Sequence, residues 1–146
     1  MRLPETEIEV TEADDGDLFL HVLDEALDAL HTADIPFLLI GGIGSAVYGR
    51  DQGTRGIETK EVAERWLSKA MKDGVLVDVI FRSTRDILLG DEMLRRSRVM
   101  PFRGREVPLA PPEDLVVMKA CAMSEDTSRY WYDAVSIIAH SELDWD

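Results

Sequence analysis

The run Phe37-Leu38-Leu39-Ile40, introduced by Pro36 and stopped at once by Gly41-Gly42, limits the fold more than any other stretch of this chain. A continuous apolar run between turn formers reads as a short buried strand, and the paired glycines let the backbone turn sharply after it. The small-residue segment Ile43 to Tyr48 then continues as a helix, so the unit is strand, tight turn, helix.

The elements around that unit follow from periodicity. Ahead of it, Phe19, Val22, Leu23, Ala26, Leu27 and Leu30 recur at helical spacing from Asp17 onward, with Asp24, Glu25 and Asp28 on the outer face as solvated surface. After it, Trp66 to Ala70 and Val75 to Arg82 flank Lys72-Asp73-Gly74, an Asp-Gly hairpin signal. Asp91 to Arg98 reads as a short basic helix, and Arg103-Gly104-Arg105 joins two short strands, Val99 to Phe102 and Glu106 to Leu109. Pro111-Pro112-Glu113-Asp114 opens a helix that runs through Leu115, Met118, Lys119 and Ala122, with its acids placed well against the helix dipole. A last helix, Arg129 to His140, sets Trp131, Ala134, Val135, Ile138 and Ala139 on one side. The expected class is α/β (α+β).

Length and charge narrow the function. With 146 residues, 45% of them hydrophobic, the chain has room for one domain, expected over 17–146, behind an acidic arm over 1–16. The acidic start differs from the basic and then apolar pattern of a signal peptide, and no apolar stretch approaches the roughly 20 residues of a membrane span. One cysteine, Cys121, excludes an internal disulfide and a multi-cysteine metal site. A cytoplasmic, membrane-free protein is expected. A net charge of -13 opposes attraction to phosphate backbones, which makes a nucleic-acid partner unlikely and suits a basic protein partner. Arg82, Arg85, Arg95, Arg96, Arg98, Arg103 and Arg105 nevertheless crowd one third of the chain, either as an anionic ligand face or through internal pairing with the acidic arm. His21, His31 and His140 show no ligand spacing and read as helix-surface residues.

Chemistry concentrates at Gly41-Gly42-Ile43-Gly44-Ser45, where a helix start and the Ser45 hydroxyl can hold phosphate oxygens, although a plain tight turn explains the glycines equally well. FLLIGGIGSAVYGR, WLSKAMKDGVLVDVIFRS, VPLAPPEDLVVMKACA and RYWYDA, in that order, together resemble small bacterial nucleotidyltransferase-fold proteins, the minimal or antitoxin-type relatives of polymerase-beta-like enzymes. The resemblance spans about Phe37 to His140. It implies a mixed sheet flanked by helices with further C-terminal helices. It also implies transfer of a nucleotidyl group from an NTP to a hydroxyl acceptor, with Mg2+ held by three aspartates.

Carried over residue by residue, Gly41, Gly42 and Ser45 match the nucleotide-binding turn, and Asp78 in Val77-Asp78-Val79 matches the third aspartate as catalytic residue and metal ligand. Lys119 on the helix after the double proline is placed to reach phosphates, and Tyr132-Asp133 fits the end of the pattern. The aspartate pair does not carry over. Either Gly56-Ile57-Glu58 stands in place of Asp-Ile-Asp, leaving Glu58 as a weak metal ligand, or a strand and a helix are missing after Arg55. The chain is thus expected to be an inactive member of its fold, and two functions follow. One is an NTP-dependent transferase whose aspartate pair is not in this sequence. The other is a catalytically inactive binding module of antitoxin type, acting through a basic partner or by self-association.

Overall fold

The computed structural model describes residues 13–49, 67–80, 85, 87–123 and 128–145. Residues 1–12 of the acidic arm expected over 1–16, together with Glu58 and the gap after Arg55, lie outside these residues, and the last four residues of that arm belong to a helix. The first helix, α1 (Ala13–Thr32), begins four residues before the periodicity at Asp17 suggests. It ends in a Schellman-type turn. Asp34 takes φ 53, its N–H donates to His31 O, and the Ile35 N–H donates to Leu30 O.

The segment 37–40, expected as a buried strand, is half-buried and meets the sheet through Leu39 alone. The Leu39 N–H donates to Pro108 O at 2.9 Å and the Ala110 N–H donates to Leu39 O at 3.0 Å, one parallel bridge to β4. The preceding bond of a parallel ladder, to Phe37 O, would need an N–H at position 108, and proline has none. Gly41 turns the chain away at φ +70, a conformation that favours glycine, and opens α2 (Gly41–Tyr48).

Two antiparallel hairpins follow. The first pairs β1 (Leu67–Lys72) with β2 (Val75–Ile80), and the second pairs β3 (Arg98–Phe102) with β4 (Arg105–Leu109). Between them α3 (Asp91–Arg95) is shorter than the expected Asp91 to Arg98, because Arg98 already pairs with Leu109 in the sheet. The second sheet is antiparallel, β3 with β4, and the other edge of β4 carries the single parallel bridge to Leu39. Its inward residues Met100, Phe102, Val107 and Leu109 alternate along the strands and meet Tyr48, Leu115, Ile137 and Leu27 in the core. α4 (Pro112–Ala122) and α5 (Ser128–His140) pack on each other and on α2. A Cβ at Gly44 would stand 2.7 Å from a Leu115 methyl, and one at Gly49 would stand 2.7 Å from Ser45 O and 2.8 Å from Ser136 Oγ.

Two surface expectations are corrected. The acids of α1 are not simply solvated: Arg105 reaches Asp24 at 2.9 Å and Asp28 at 2.6 Å, and Lys72 reaches Glu25 at 2.6 Å, so α1 holds both hairpin turns. α5 is rotated from the apolar side read in its sequence. Ala134 and Ile137 enter the core, while Trp131, Val135 and Ile138 are exposed, because α5 meets its neighbours along the side carrying Asp133 and Ser136.

Candidate functional site

The glycine turn has the expected shape. Ile40 is extended, Gly41 is left-handed, and the N-cap Ile40 offers the first N–H groups of α2 no side-chain hydrogen bond. Ser45 is buried, and its hydroxyl donates back to Gly41 O at 2.9 Å, so its proton is committed within the helix. Gly42 is exposed at the turn.

Lys119 is 8% exposed and lies between α4 and α5. Its Nζ bonds Asp133 Oδ2 at 2.6 Å and stands 4.9 Å from the centre of the Tyr130 ring, so the ammonium has a carboxylate and an aromatic face as its surroundings. Sequence reading placed Lys119 and Asp133 near the site separately; only the packing of α4 on α5 joins positions 14 residues apart.

Asp78 belongs to the first hairpin. It is exposed on β2, its register partner across the hairpin is Lys69, and the β1–β2 sheet is separate from the β3–β4 sheet. Among the described residues no three His, Cys, Asp or Glu side chains form a group that could hold a metal ion. A shallow cavity of about 320 Å3 at the end of α1, lined by Leu30, His31, Asp34, Ile35, Pro36 and Phe37, contains none of the expected site residues.

The arginine-rich third is engaged internally, mostly with α1, α3 and α4. Arg103 and Arg105 meet Asp24 and Asp28, Arg95 pairs with Glu92, and Arg96 bonds Asp114 Oδ2 at 2.7 Å. Arg82 lies outside the described residues, and Arg85 is exposed with φ 60. The histidines stay on helix surfaces: His21 lies 3.8 Å from Glu25, and His140 Nδ1 is 2.8 Å from Ser136 O.

A polar clasp was missed by sequence reading. Glu113, 8% exposed, accepts the Asp144 N–H at 2.7 Å, and Arg98 donates to Glu142 O at 2.9 Å while lying 5.5 Å from the Tyr48 ring centre. The Ser141 hydroxyl donates to Tyr48 O, and the Tyr48 hydroxyl donates to Ala110 O, each at 2.9 Å. Burial pushes the Tyr48 phenol well above its ordinary value. No local pattern announces these bonds, since their partners lie 31 to 93 residues apart.

Among the described residues no helix is long and apolar enough to cross a membrane. A family described as a nucleotidyl transferase of unknown function (DUF2204) has a model that matches residues 49–143, and the chain belongs to that family. The matched span carries Asp78, Lys119 and Asp133 and leaves out Gly41, Gly42 and Ser45. No curated protein and no solved structure matches the chain.

Proposed function

We propose, with membership of this nucleotidyl transferase family as the premise, that the chain uses the family's fold as a binding module and does not itself carry out metal-dependent nucleotidyl transfer. The observation that carries this reading is the Lys119–Asp133 pair beside Tyr130. One of the three N–H donors of Lys119 is committed to Asp133 and the side chain is 8% exposed, so an NTP phosphate would reach it only by opening the α4–α5 contact and weakening a largely buried pair.

Among the described residues no carboxylate group fits a two-Mg2+ centre. Mg2+ takes oxygen ligands in near-octahedral geometry, and two-metal phosphoryl transfer needs shared carboxylates holding the ions about 4 Å apart. Asp78 supplies one carboxylate, opposite Lys69 in the register, and Gly56-Ile57-Glu58 supplies one more at most where the family pattern has two. The net charge of -13 supports a basic protein as the partner, in the manner of an antitoxin-type module.

The second reading is a transferase in which Asp78 binds Mg2+ and the turn at Gly41, Gly42 and Ser45, with Lys119, holds an NTP; family membership is what favours it. Incubation of the purified chain with α-labelled NTPs, Mg2+ or Mn2+ and protein, RNA or small hydroxyl acceptors separates the two. Label transfer no greater than that of Asp78→Asn is expected. Transfer that the wild type performs and Asp78→Asn loses would overturn the binding-module reading.

A further inference from the structure

The apolar side of α5 is wider than its own packing uses, and one edge of it is covered while the adjoining edge is not. Ala134 and Ile137 are buried, Asp133 bonds Lys119, and Ser136 lies against Gly49. On the adjoining edge Trp131, Val135 and Ile138 are 55%, 42% and 50% exposed, at i, i+4 and i+7, which sets them in one stripe along the helix. Tyr132, 61% exposed, widens it. Single exposed apolar side chains are ordinary; two turns of helix presenting little else mark an interaction surface.

The footprint and the charge decide what covers it. Two helical turns are about 10 Å long, which matches one docked helix and falls short of the roughly 800 Å2 per partner of a stable dimer. A second copy would also bring a net charge of -13 against -13. The bases Lys72, Arg95, Arg96, Arg98, Arg103, Arg105 and Lys119 are engaged with the chain's own acids or carbonyls and leave that excess unbalanced. At one end of the stripe the carboxyl end of α5 carries partial negative charge, and Glu142 is exposed just beyond it.

We propose that the Trp131–Val135–Ile138 face of α5 docks a basic amphipathic helix of a partner protein, with apolar anchors along the stripe and Lys or Arg over the His140–Glu142 end. This names the surface of the binding-module reading and rests on it, while the transfer assay above tests that reading separately.

The test uses the full chain with Trp66→Phe and Trp145→Phe, so that Trp131 alone reports. The probe is a synthetic peptide of Leu and Lys in an amphipathic helical pattern, about four turns long, beside a scrambled peptide of the same composition. Saturable binding with a blue shift of Trp131 emission is expected, and the scrambled peptide should bind at least about tenfold more weakly. Val135→Ser with Ile138→Ser should weaken the patterned peptide by about tenfold or more, with circular dichroism and Tm unchanged. Equal binding of both peptides, or full binding by the double variant, would overturn the proposal. So would a dimer in sedimentation that the double variant abolishes, or a Trp131 shielded from acrylamide in the free monomer.

Discussion

The β1–β2 and β3–β4 hairpins turn through the same backbone conformation: Asp73 and Gly74 take φ 50 and 85, and Arg103 and Gly104 take φ 45 and 78. Positive φ at both central residues matches the right-handed twist of the flanking strands, so each hairpin closes through a two-residue loop. Their surroundings differ. In β3–β4, Met100, Phe102, Val107 and Leu109 are 0 to 8% exposed, under helices and beside the Leu39 bridge. In β2, Val75 to Val77 are half-buried and Asp78 to Ile80 are exposed, and α1 holds the turn through the exposed Lys72–Glu25 pair. Local turn chemistry builds a hairpin; the cover that other elements provide decides how much of the fold's stability it carries.

That contrast is open to measurement, and the largest effect is expected in the covered hairpin. Leu109→Ala should cost about 2–5 kcal/mol in urea unfolding, and Val79→Ala on the exposed end of β2 less than about 1 kcal/mol. Equal losses would break the comparison. Gly49→Ala comes next, at about 1–3 kcal/mol, because the new Cβ meets the backbone oxygen of Ser45 as well as the Ser136 hydroxyl.

Tyr48→Phe should cost about 1–2 kcal/mol, by leaving Ala110 O without its donor. It should also change the alkaline limit. Burial raises the Tyr48 phenol in the folded chain, so its contribution is complete below the unfolded value of about 10 and is lost as pH rises above it. A Tm series from pH 8 to about 11 should therefore fall less steeply in Tyr48→Phe than in the wild type.

The smallest effect belongs to the α1 clamp. Hydrogen bonds from Lys72 and Arg105 hold Glu25 and Asp28 below their ordinary carboxylate values, so their stabilisation is present above those values and is lost as pH falls through the lowered ones. These groups are exposed, and Arg105→Gln should lower Tm slightly at low salt and hardly at all in 1 M NaCl, where screening has already removed the gain. A larger loss that salt leaves unchanged would show that Arg105 acts by packing its stem.

The site divides along the same line. The turn at Gly41-Gly42 was legible because a strand stop, a glycine pair and a small-residue helix are neighbours in the chain, and Gly41 takes the left-handed conformation that the pattern calls for. The role of Lys119 was not legible. A lysine four residues after Leu115 on a helix reads the same whether it faces solvent, phosphate or Asp133, and the packing of α4 on α5 brings in the carboxylate. The face of α5 was misread for a related reason. Trp131, Ala134, Val135, Ile137 and Ile138 form an apolar face wider than one contact can cover, and the Gly49–Ser136 approach and the Lys119–Asp133 bond select which edge of it is buried.

By itself, then, the amino-acid order determined the glycine turn with the helix after it, both hairpin loops and the succession of helices, since each depends on backbone preferences and side-chain spacing within a few residues. Tertiary structure decided that Leu39 bridges to β4, that the acids of α1 hold two hairpin turns, that the hairpin of Asp78 forms a sheet separate from β3–β4, and that Trp131 faces outward. Those outcomes depend on groups distant in sequence competing for the same partners, and only the packed chain settles which of them meet.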